Sequence, residues 1–491
     1  MSDDDGLRRR ATRSVGWVVA ERWSSRLVTV LVLAVLTRLL TPSEFGVISL
    51  ATSIFAVLQV FVDSGLSKTL IQKRTLDPKD ASTAFWTSFG VSVLLGTGLA
   101  LTAGPLSSAF GEPQLAPVLQ AMSVLFPLSA LSQVPAALLE RELEFKPLSI
   151  RQFIGTVCGA AVAIPLALVG GGIWALVAQT IVTALAAVIA LWSSTPWRPR
   201  FEYSFVSLRS LWRVGGSILA IDLLDAIQAN IDKIVIGALF SPQELGYYFI
   251  AQRVGTILIE LVTSVLSRVS FTTFSRVQDD SVRLNRIFRQ LTFVAAAASI
   301  AIFGLVATLA PQLVAFLFGP QWTDAVPIIW ILAPGWALGA VMYFDRNVLL
   351  ATSHAGSALL LAIIQNVVGT VLVFLLAPFG VLGIAFSRLA RFVIWPVRLV
   401  VLKRAAGVDI GKYVSQLTRC VVASIVPFAV IIGLQFTPWA TAPAPFWTFA
   451  CPVAVLALVA YCALLWLLAG DENRTVLRAV WTDLTARIRR R

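Results

Sequence analysis

Apolar runs of about twenty residues recur along almost the whole chain, from residue 15 to residue 468. A helix needs about 20 apolar residues to cross the hydrocarbon core of a bilayer. The runs between polar breaks predict fourteen transmembrane helices and leave no room for a large soluble domain. Only 13% of the residues are charged, against about a quarter in a typical soluble protein. The sequence therefore predicts an all-α polytopic membrane protein.

The basic residues predict which loops face the cytoplasm. If the N-terminus is cytoplasmic, the inner loops and tails hold 31 of the 39 lysines and arginines, and the seven outer loops hold none. Cytoplasmic loops are normally enriched in Lys and Arg, and a missed helix would invert every later loop. We expect both termini to be cytoplasmic, residues 104–114, 311–324 and 437–445 to be outside, and residues 270–288 to be inside. The first apolar run is expected to be an uncleaved transmembrane helix.

The net charge of +13 has the same origin. It reflects this topology signal together with attraction to anionic headgroups. Because no soluble basic domain exists, it does not indicate nucleic-acid binding.

A short turn occurs twice in the chain, at an offset of 200 residues. LLTPSEFGVISLA (39–51) and LFSPQELGYYFIA (239–251) share a proline, a glutamate and a glycine at matching positions. A weaker match joins GGGIWALV (170–177) to GVLGIAFS (380–387). Both copies of the turn fall at the outer end of an odd-numbered helix, so the repeat is parallel. Its pseudo-twofold axis is expected to run along the membrane normal.

The repeat predicts two six-helix lobes that enclose a central cavity and move by alternating access. The predicted parts are an N-lobe of helices 1–6 (1–196), a cytoplasmic linker (197–210), a C-lobe of helices 7–12 (211–404), helices 13 and 14 (405–470) and a basic cytoplasmic tail (471–491).

The repeated turns carry a family resemblance. TRLLTPSEFGVISLA (37–51) and IDKIVIGALFSPQELGYYFIAQRVG (231–255) resemble the polysaccharide-transport, or Wzx-type, flippases of the multidrug/oligosaccharidyl-lipid/polysaccharide (MOP) exporter superfamily. FVDSGLSKTLIQKR (61–74) and ERELEFKPLSIRQF (140–153) are similar to its colanic-acid and teichuronic-acid exporter branch. The resemblance implies a MATE-like fold and movement of polyprenyl-pyrophosphate-linked oligosaccharides from the inner to the outer leaflet of a bacterial cytoplasmic membrane. It also implies glycosyltransferases and a polysaccharide polymerase as candidate partners.

Several arginines lie deep inside predicted spans, where a charge costs at least ~3 kcal/mol. Arg22 and Arg26 are four residues apart and so share a helix face, and Arg253 lies eight residues into helix eight. Arginine forks bind phosphate oxygens in pairs. We expect these three, with Lys233 as a further candidate, to bind the pyrophosphate of the substrate. The resemblance supports this in general terms, because lipid flippases of the superfamily have a cationic central cavity.

Helix seven carries ionisable residues on one face, namely Asp222, Asp225, Asp232 and Lys233. Together with Asn230 on helix seven and Gln252 on helix eight, Asp222 and Asp225 are expected to be polar groups of the cavity that hydrogen-bond sugar. For Asp232 and Lys233, a site role and an internal structural pair remain equally open.

Neither a cofactor nor a bound metal is expected. The four cysteines lie inside apolar runs, and His354 is the only histidine. The absence of a GxxxxGK[ST] motif argues against direct ATP coupling. Coupling to a proton or sodium gradient would need a membrane carboxylate. The candidates are Asp63, Glu260, Asp222 and Asp225, with Glu21 a weaker one, and Asp63 and Glu260 are preferred.

Three other functions are less consistent with the sequence. A flippase for lipid II or another lipid-linked precursor has a similar fold and is not excluded. A multidrug/cation antiporter would favour anionic cavity residues. A membrane polysaccharide polymerase or ligase would need a long outer loop for its catalytic groups, and the outer loops here are short.

Overall fold

The computed structural model describes residues 24 and 26–478, with gaps at 64, 74, 277–279, 353, 439–445, 472 and 476. The described residues form helices and turns without a β-strand, as the apolar runs predict. The first nine helices are α1 (26–39), α2 (Pro42–Asp63), α3 (Leu66–Gln72), α4 (Pro78–Phe110), α5 (Leu115–Met122), α6 (Leu125–Arg141), α7 (Phe145–Leu168), α8 (Ile173–Ser194) and α9 (Phe205–Leu239). The remaining nine are α10 (Pro242–Arg276), α11 (Ser281–Thr308), α12 (Ala310–Leu317), α13 (Val326–Ala351), α14 (Ala355–Leu376), α15 (Gly380–Ala390), α16 (Trp395–Ala406), α17 (Ile410–Leu434) and α18 (Cys451–Leu468).

Within the described residues, eleven helical stretches are long and apolar enough to cross a membrane. Three of the fourteen predicted spans are not counted separately among them. The first, α1, is described over only part of its length, and α10 has many side chains outside the described set. The predicted eleventh and twelfth spans form one continuous stretch, 356–406. The all-helical membrane fold is therefore confirmed, and the number fourteen stays a prediction.

The chain divides into two compact units, Met1–Gly246 and Tyr247–Arg491. The lobe and tail boundaries that the repeat predicts, at 196, 211, 404 and 470, stay predictions.

In the first unit, helices pack closely where their residues are small. α7 lies along α8, and a Cβ added to Gly159 would lie 2.0 Å from Oγ1 of Thr183. Gly155 approaches the same turn of α8, with the carbonyl oxygen of Thr183 at 2.8 Å from its ideal Cβ. Membrane helices associate through such small residues because lipid provides little hydrophobic driving force between helices.

The short helix α3 is anchored in the first unit by an apolar cluster. Leu66 and Leu70 of α3 are fully buried against Phe85 of α4, Val134 of α6 and Leu211 of α9. This helix follows α2 after Gly65, whose φ of 63° allows the sharp change of direction. The segment that the topology predicts as an inner loop is therefore a packed structural element.

In the second unit, α11 packs against α13 and α17, and α17 packs against α18. Their shared core includes fully buried Phe274, Phe288, Phe344 and Tyr413. The predicted twelfth span is broken into α15, a single 3₁₀ turn (Arg391–Ile394) and α16. Pro396 at the start of α16 explains the break, because proline cannot donate the backbone hydrogen bond that a continuous helix needs.

Candidate functional site

The two copies of the repeated turn have the same local structure. Each begins a helix with a capping box: the Thr41 N–H donates to Oε2 of Glu44 (2.7 Å), and the Ser241 N–H donates to Oε2 of Glu244 (3.1 Å). Each side-chain hydroxyl donates to the same carboxylate oxygen at 2.9 Å. A proline follows at the first helical position, where its missing N–H has no consequence. The proline and glutamate of the repeat are therefore helix-start residues.

The glycine of the repeat has a different role, because the two turns touch. A Cβ built on Gly46 would lie 1.7 Å from the carbonyl oxygen of Pro242, and one built on Gly246 would lie 1.9 Å from the carbonyl oxygen of Pro42. All four residues belong to the first unit. The contact is reciprocal, as expected for equivalent segments related by a twofold axis. We call it the glycine contact. Only residues without a Cβ fit there.

A second contact joins α3 to α9. Nζ of Lys68 lies 2.6 Å from Oδ2 of Asp222, and the Lys68 and Asp222 side chains are 56% and 28% exposed. Beside this ion pair, a Cβ on Gly65 would lie 2.4 Å from the carbonyl oxygen of Gly215. We call this the α3–α9 contact. Asp222, predicted as a cavity residue, thus has its carboxylate bound to a lysine of the predicted inner loop.

Asp63, a predicted ion-coupling residue, ends α2 among amide side chains. Its carboxylate accepts a hydrogen bond from Gln133 of α6 and one at 3.5 Å from Gln59 of α2. Gln59 also donates to Ser129 of α6. The group is a polar cluster at the end of a membrane helix.

The predicted polar stripe of α9 divides into two parts. Asp225 is exposed, whereas Asn230 and Asp232 are buried. The Asn230 amide donates to the carbonyl of Ala226 (2.8 Å), and its oxygen accepts from Nζ of Lys233 (2.9 Å). Lys233 and Asn230 thus form a local pair within α9. The polar face of this helix is exposed at Asp225 and buried at Asn230 and Asp232.

The predicted pyrophosphate-binding arginines are only partly described. Arg22 lies outside the described residues. Arg26 is half-buried, roughly 20 Å along α1 from its end at residue 39 at about 1.5 Å per residue. Arg253 is half-buried roughly 17 Å into α10 by the same measure. Both depths fall inside a ~30 Å hydrocarbon core. Their convergence on one cavity stays a prediction.

The two remaining predicted residues lie on α10. Gln252 donates to the hydroxyl of Tyr248 one turn earlier (2.9 Å), and Glu260 is exposed. This geometry tests neither the predicted sugar contact of Gln252 nor the predicted ion coupling through Glu260.

Sequence analysis missed a buried ionic group in the second unit. Nε of Arg398 lies 3.2 Å from Oδ2 of fully buried Asp345, an ion pair without hydrogen-bond geometry, and Tyr413 donates to Oδ1 at 3.3 Å. Arg398 also donates to Gln365. The signal was available in the sequence, because Asp345 is a carboxylate within a predicted span. The group joins α13, α16 and α17. Removing one partner of such a buried pair costs about 3–5 kcal/mol, so the pair is expected to hold these helices together.

The fold and these intramembrane charges define the class of a polytopic membrane protein. The profile of the family described as "Polysaccharide biosynthesis protein" matches residues 35–327. The chain belongs to this family, which confirms the resemblance carried by the repeated turns.

Named relatives are similar over most of their length. The succinoglycan biosynthesis transport protein ExoT of Rhizobium meliloti is 30% identical over 325 residues, 66% of this chain and 65% of ExoT. The lipopolysaccharide biosynthesis protein WzxC of Escherichia coli is 22% identical over 63% of this chain and 65% of WzxC. The chain thus spans about 65% of the length of these two relatives.

Solved structures support the MOP fold. The lipid II flippase MurJ, in an inward closed conformation, superposes with a TM-score of 0.74 at 11% identity, over 91% of this chain and 98% of MurJ. An inward-facing multidrug resistance MATE transporter of the MOP superfamily gives a TM-score of 0.61 at 14% identity, over 77% and 96% of the two chains. At these identities the likeness establishes the fold alone.

Proposed function

We propose that the protein is a flippase that moves a polyprenyl-pyrophosphate-linked oligosaccharide from the inner to the outer leaflet of a bacterial cytoplasmic membrane, with both termini cytoplasmic. Membership of the polysaccharide biosynthesis family supports the substrate class. The reciprocal glycine contact supports the mechanism most directly, because equivalent hairpins meeting at a twofold axis suit two lobes that rock against each other.

The substrate's charge would be held by the deep arginines. A pyrophosphate that enters a medium of low dielectric constant needs fixed cations, and a guanidinium presents a planar pair of donors to phosphate oxygens. Arg26 and Arg253 have the required depth, and Arg22 is proposed on its sequence position. Lys233 is a weaker candidate, because its ammonium already donates to Asn230. Asp225 and Gln252 are proposed to hydrogen-bond sugar hydroxyls.

The two contacts of the first unit suit an alternating-access cycle. The glycine contact lies at the predicted outer end of the helices, and the α3–α9 contact lies toward the predicted inner end. Substrate entry would require the second contact to open, and release would require the first to open. A partly exposed ion pair contributes only about 0–1 kcal/mol, so Lys68 and Asp222 can separate at little cost.

An ion gradient would supply the energy. We propose proton or sodium coupling through Asp63 or Glu260, of which Asp63 has the better-defined surroundings. Replacing Asp63 by Asn keeps most of its shape and removes its charge. We expect Asp63→Asn to uncouple transport from the gradient while the protein still inserts; gradient-driven transport that persists would assign the coupling elsewhere.

A depletion experiment tests the proposed function. When the protein is depleted in its host, the lipid-linked oligosaccharide should accumulate in the inner leaflet. Periodate, which does not cross membranes, would then oxidise its sugar diols in opened vesicles but not in intact spheroplasts. Oxidation in intact spheroplasts despite depletion would contradict the proposal.

A lipid II flippase is the second candidate, because the fold that this chain shares with the lipid II flippase MurJ does not distinguish the two substrates. The same depletion distinguishes the two. Accumulation of lipid II, with arrest of cell-wall synthesis and normal surface polysaccharide, would favour the second candidate.

A further inference from the structure

A cavity in the second unit opens where three helix ends meet. It has a volume of about 270 Å³ and lies between α11, the first turns of α17 and the segment that follows α18. Its lining includes Arg289, Lys412, Gln416, Arg419, Asp471 and Asn473. None of these residues belongs to the predicted substrate site. The cavity therefore needs an explanation of its own.

The cavity is cationic. Arg289, Lys412 and Arg419 supply three positive charges, and Asp471 at the rim supplies one negative charge. Arg419 lies against Gly470, where an added Cβ would be 2.9 Å from Nη1 of the arginine. A larger residue at 470 would displace this guanidinium, so the glycine leaves it room beside the cavity.

Part of the Lys412 charge is neutralised nearby. Its Nζ lies 3.4 Å from Oδ2 of Asp409, on the exposed start of α17. The backbone N–H of Lys412 donates to the Asp409 side chain and holds the pKa of that carboxyl below its ordinary value. Asp409 is thus charged at neutral pH, and it interacts electrostatically with Arg289 as well as with Lys412.

A buried amide faces the same cavity. Gln416 is only 6% exposed, and its amide nitrogen donates to Oδ1 of Asn473 (3.0 Å). Its Oε1 accepts no hydrogen bond from the described residues. A buried acceptor that lacks a donor costs about 1–3 kcal/mol. A ligand hydroxyl that reached this enclosed oxygen would remove the cost.

The cavity lies near one end of each of three candidate membrane spans. The candidate spans Val282–Thr308 and Ile410–Leu434 begin beside it, and Phe446–Leu468 ends beside it. In the predicted topology this side is cytoplasmic. Basic pockets between membrane helices on that side suit anionic lipid headgroups, because the inner leaflet concentrates them.

We propose that this cavity binds the headgroup of an anionic phospholipid of the phosphatidylglycerol type, whose phosphate meets Arg289 and Arg419 and whose glycerol hydroxyl donates to Gln416. Binding would join α11, α17 and the chain after α18. The volume suits one headgroup and is below the ~300–1,000 Å³ typical of sites for larger ligands, such as an oligosaccharide of several rings.

Lipid binding to the full chain in detergent tests the proposal. Short-chain phosphatidylglycerol, phosphatidylethanol, phosphatidylcholine, inorganic phosphate and a polyprenyl diphosphate are titrated separately, with affinity read by native mass spectrometry or microscale thermophoresis. Phosphatidylglycerol should bind at least about ten times more tightly than phosphatidylcholine. Equal affinities, or tighter competing binding by the polyprenyl diphosphate or by inorganic phosphate, would overturn the proposal.

Matched variants separate this site from general surface charge. Arg289→Gln and Arg419→Gln should each weaken phosphatidylglycerol binding about tenfold or more. Arg283→Gln removes an exposed charge from α11 outside the cavity and should change little. A loss for Arg283→Gln as large as for Arg419→Gln would show non-specific attraction.

Gln416→Leu tests the hydroxyl contact alone. Phosphatidylethanol has the same charged phosphodiester as phosphatidylglycerol but no hydroxyl, so wild-type protein should prefer phosphatidylglycerol. Gln416→Leu should abolish that preference while binding to phosphatidylethanol persists. If wild-type protein shows no preference, the contact is absent. Should Gln416→Leu fail to fold, Gln416→Glu, with an extra negative charge in the cavity, should weaken the binding of both lipids, and unchanged binding would place the lipid elsewhere.

Discussion

At Gly46, the backbone at the start of another helix occupies the space that a side chain would need. With the carbonyl oxygen of Pro242 at 1.7 Å from an ideal Cβ, Gly46→Ala must push the two turns apart. Overpacking of this kind costs about 1–3 kcal/mol. We expect lower thermal stability of the purified protein, greater labelling from outside of a cysteine placed near the turn, and loss of export.

Gly98 of α4 is the matched control for this change, because nothing lies within 4 Å of its ideal Cβ. Gly98→Ala should leave export intact and raise stability slightly, since alanine favours helix over glycine by about 0.5–1 kcal/mol. Unchanged export by Gly46→Ala would show that the glycine contact is not needed in the transport cycle.

Arg26 is the residue on which the proposed pyrophosphate contact depends most. Arg26→Ala should abolish export while the protein inserts normally, and Arg26→Lys should restore only part of it, because an ammonium cannot form the paired fork. Loss of one charge-assisted contact weakens binding by roughly 1.5–3 kcal/mol, or about 10- to 150-fold. Export is measured as surface polysaccharide at matched protein levels. Full export by Arg26→Ala would make the residue structural.

At the scale of elements, α3 and α9 form a contact that an ion pair stabilises weakly. Lys68→Ala should change thermal stability by less than about 1 kcal/mol, because the pair is partly exposed. It should nevertheless expose the predicted inner side, so that a cysteine at Asp225 reacts faster with a thiol reagent applied from the cytoplasm.

The charge swap Lys68→Asp with Asp222→Lys should slow this labelling again, whereas Lys79→Ala, which removes an exposed lysine from the start of α4, should have no effect. Labelling that stays fast in the swapped protein would mean that the pair does not hold the two helices together.

The helices could be predicted from the sequence, and several contacts could not. Hydropathy marks α2, α9 and α17, because burial in lipid requires nearly continuous apolar residues. The repeat marks Gly46 and Gly246 as equivalent, yet the carbonyl oxygens that face them belong to Pro242 and Pro42, which are distant in the sequence. Lys68 lies in a predicted loop between two apolar runs, so hydropathy gives no reason to pair it with Asp222. Asp222 was therefore assigned only to the cavity. Asp345 is visible in the sequence as a carboxylate within a predicted span. Its partners, Arg398 and Tyr413, could not be predicted, because they lie in other helices.

At the scale of the whole molecule, the distribution of basic residues fixes a testable topology. Cysteines at Glu112 and Asp324, placed one at a time in a cysteine-free background, should react with an impermeant thiol reagent in intact cells. A cysteine at Arg283 should react only after the membrane is opened. All three positions have room for a reagent, because Asp324 and Arg283 are exposed and Glu112 is partly so. Labelling at Arg283 in intact cells would exclude the topology with both termini cytoplasmic.

Transbilayer movement of the substrate itself tests the central claim most directly. The purified protein is reconstituted into liposomes with a fluorescent polyprenyl-diphosphate oligosaccharide extracted from its own host, a proton or sodium gradient is imposed, and an impermeant quencher reports the fraction in the outer leaflet. We predict that, in vesicles with wild-type protein, the substrate of the inner leaflet moves to the outer leaflet and becomes quenched. In vesicles with Arg26→Ala, it should stay protected from the quencher, as it does in protein-free vesicles. Retention by wild-type protein under both gradients, or equal movement by Arg26→Ala, would contradict a flippase that binds pyrophosphate through its deep arginines.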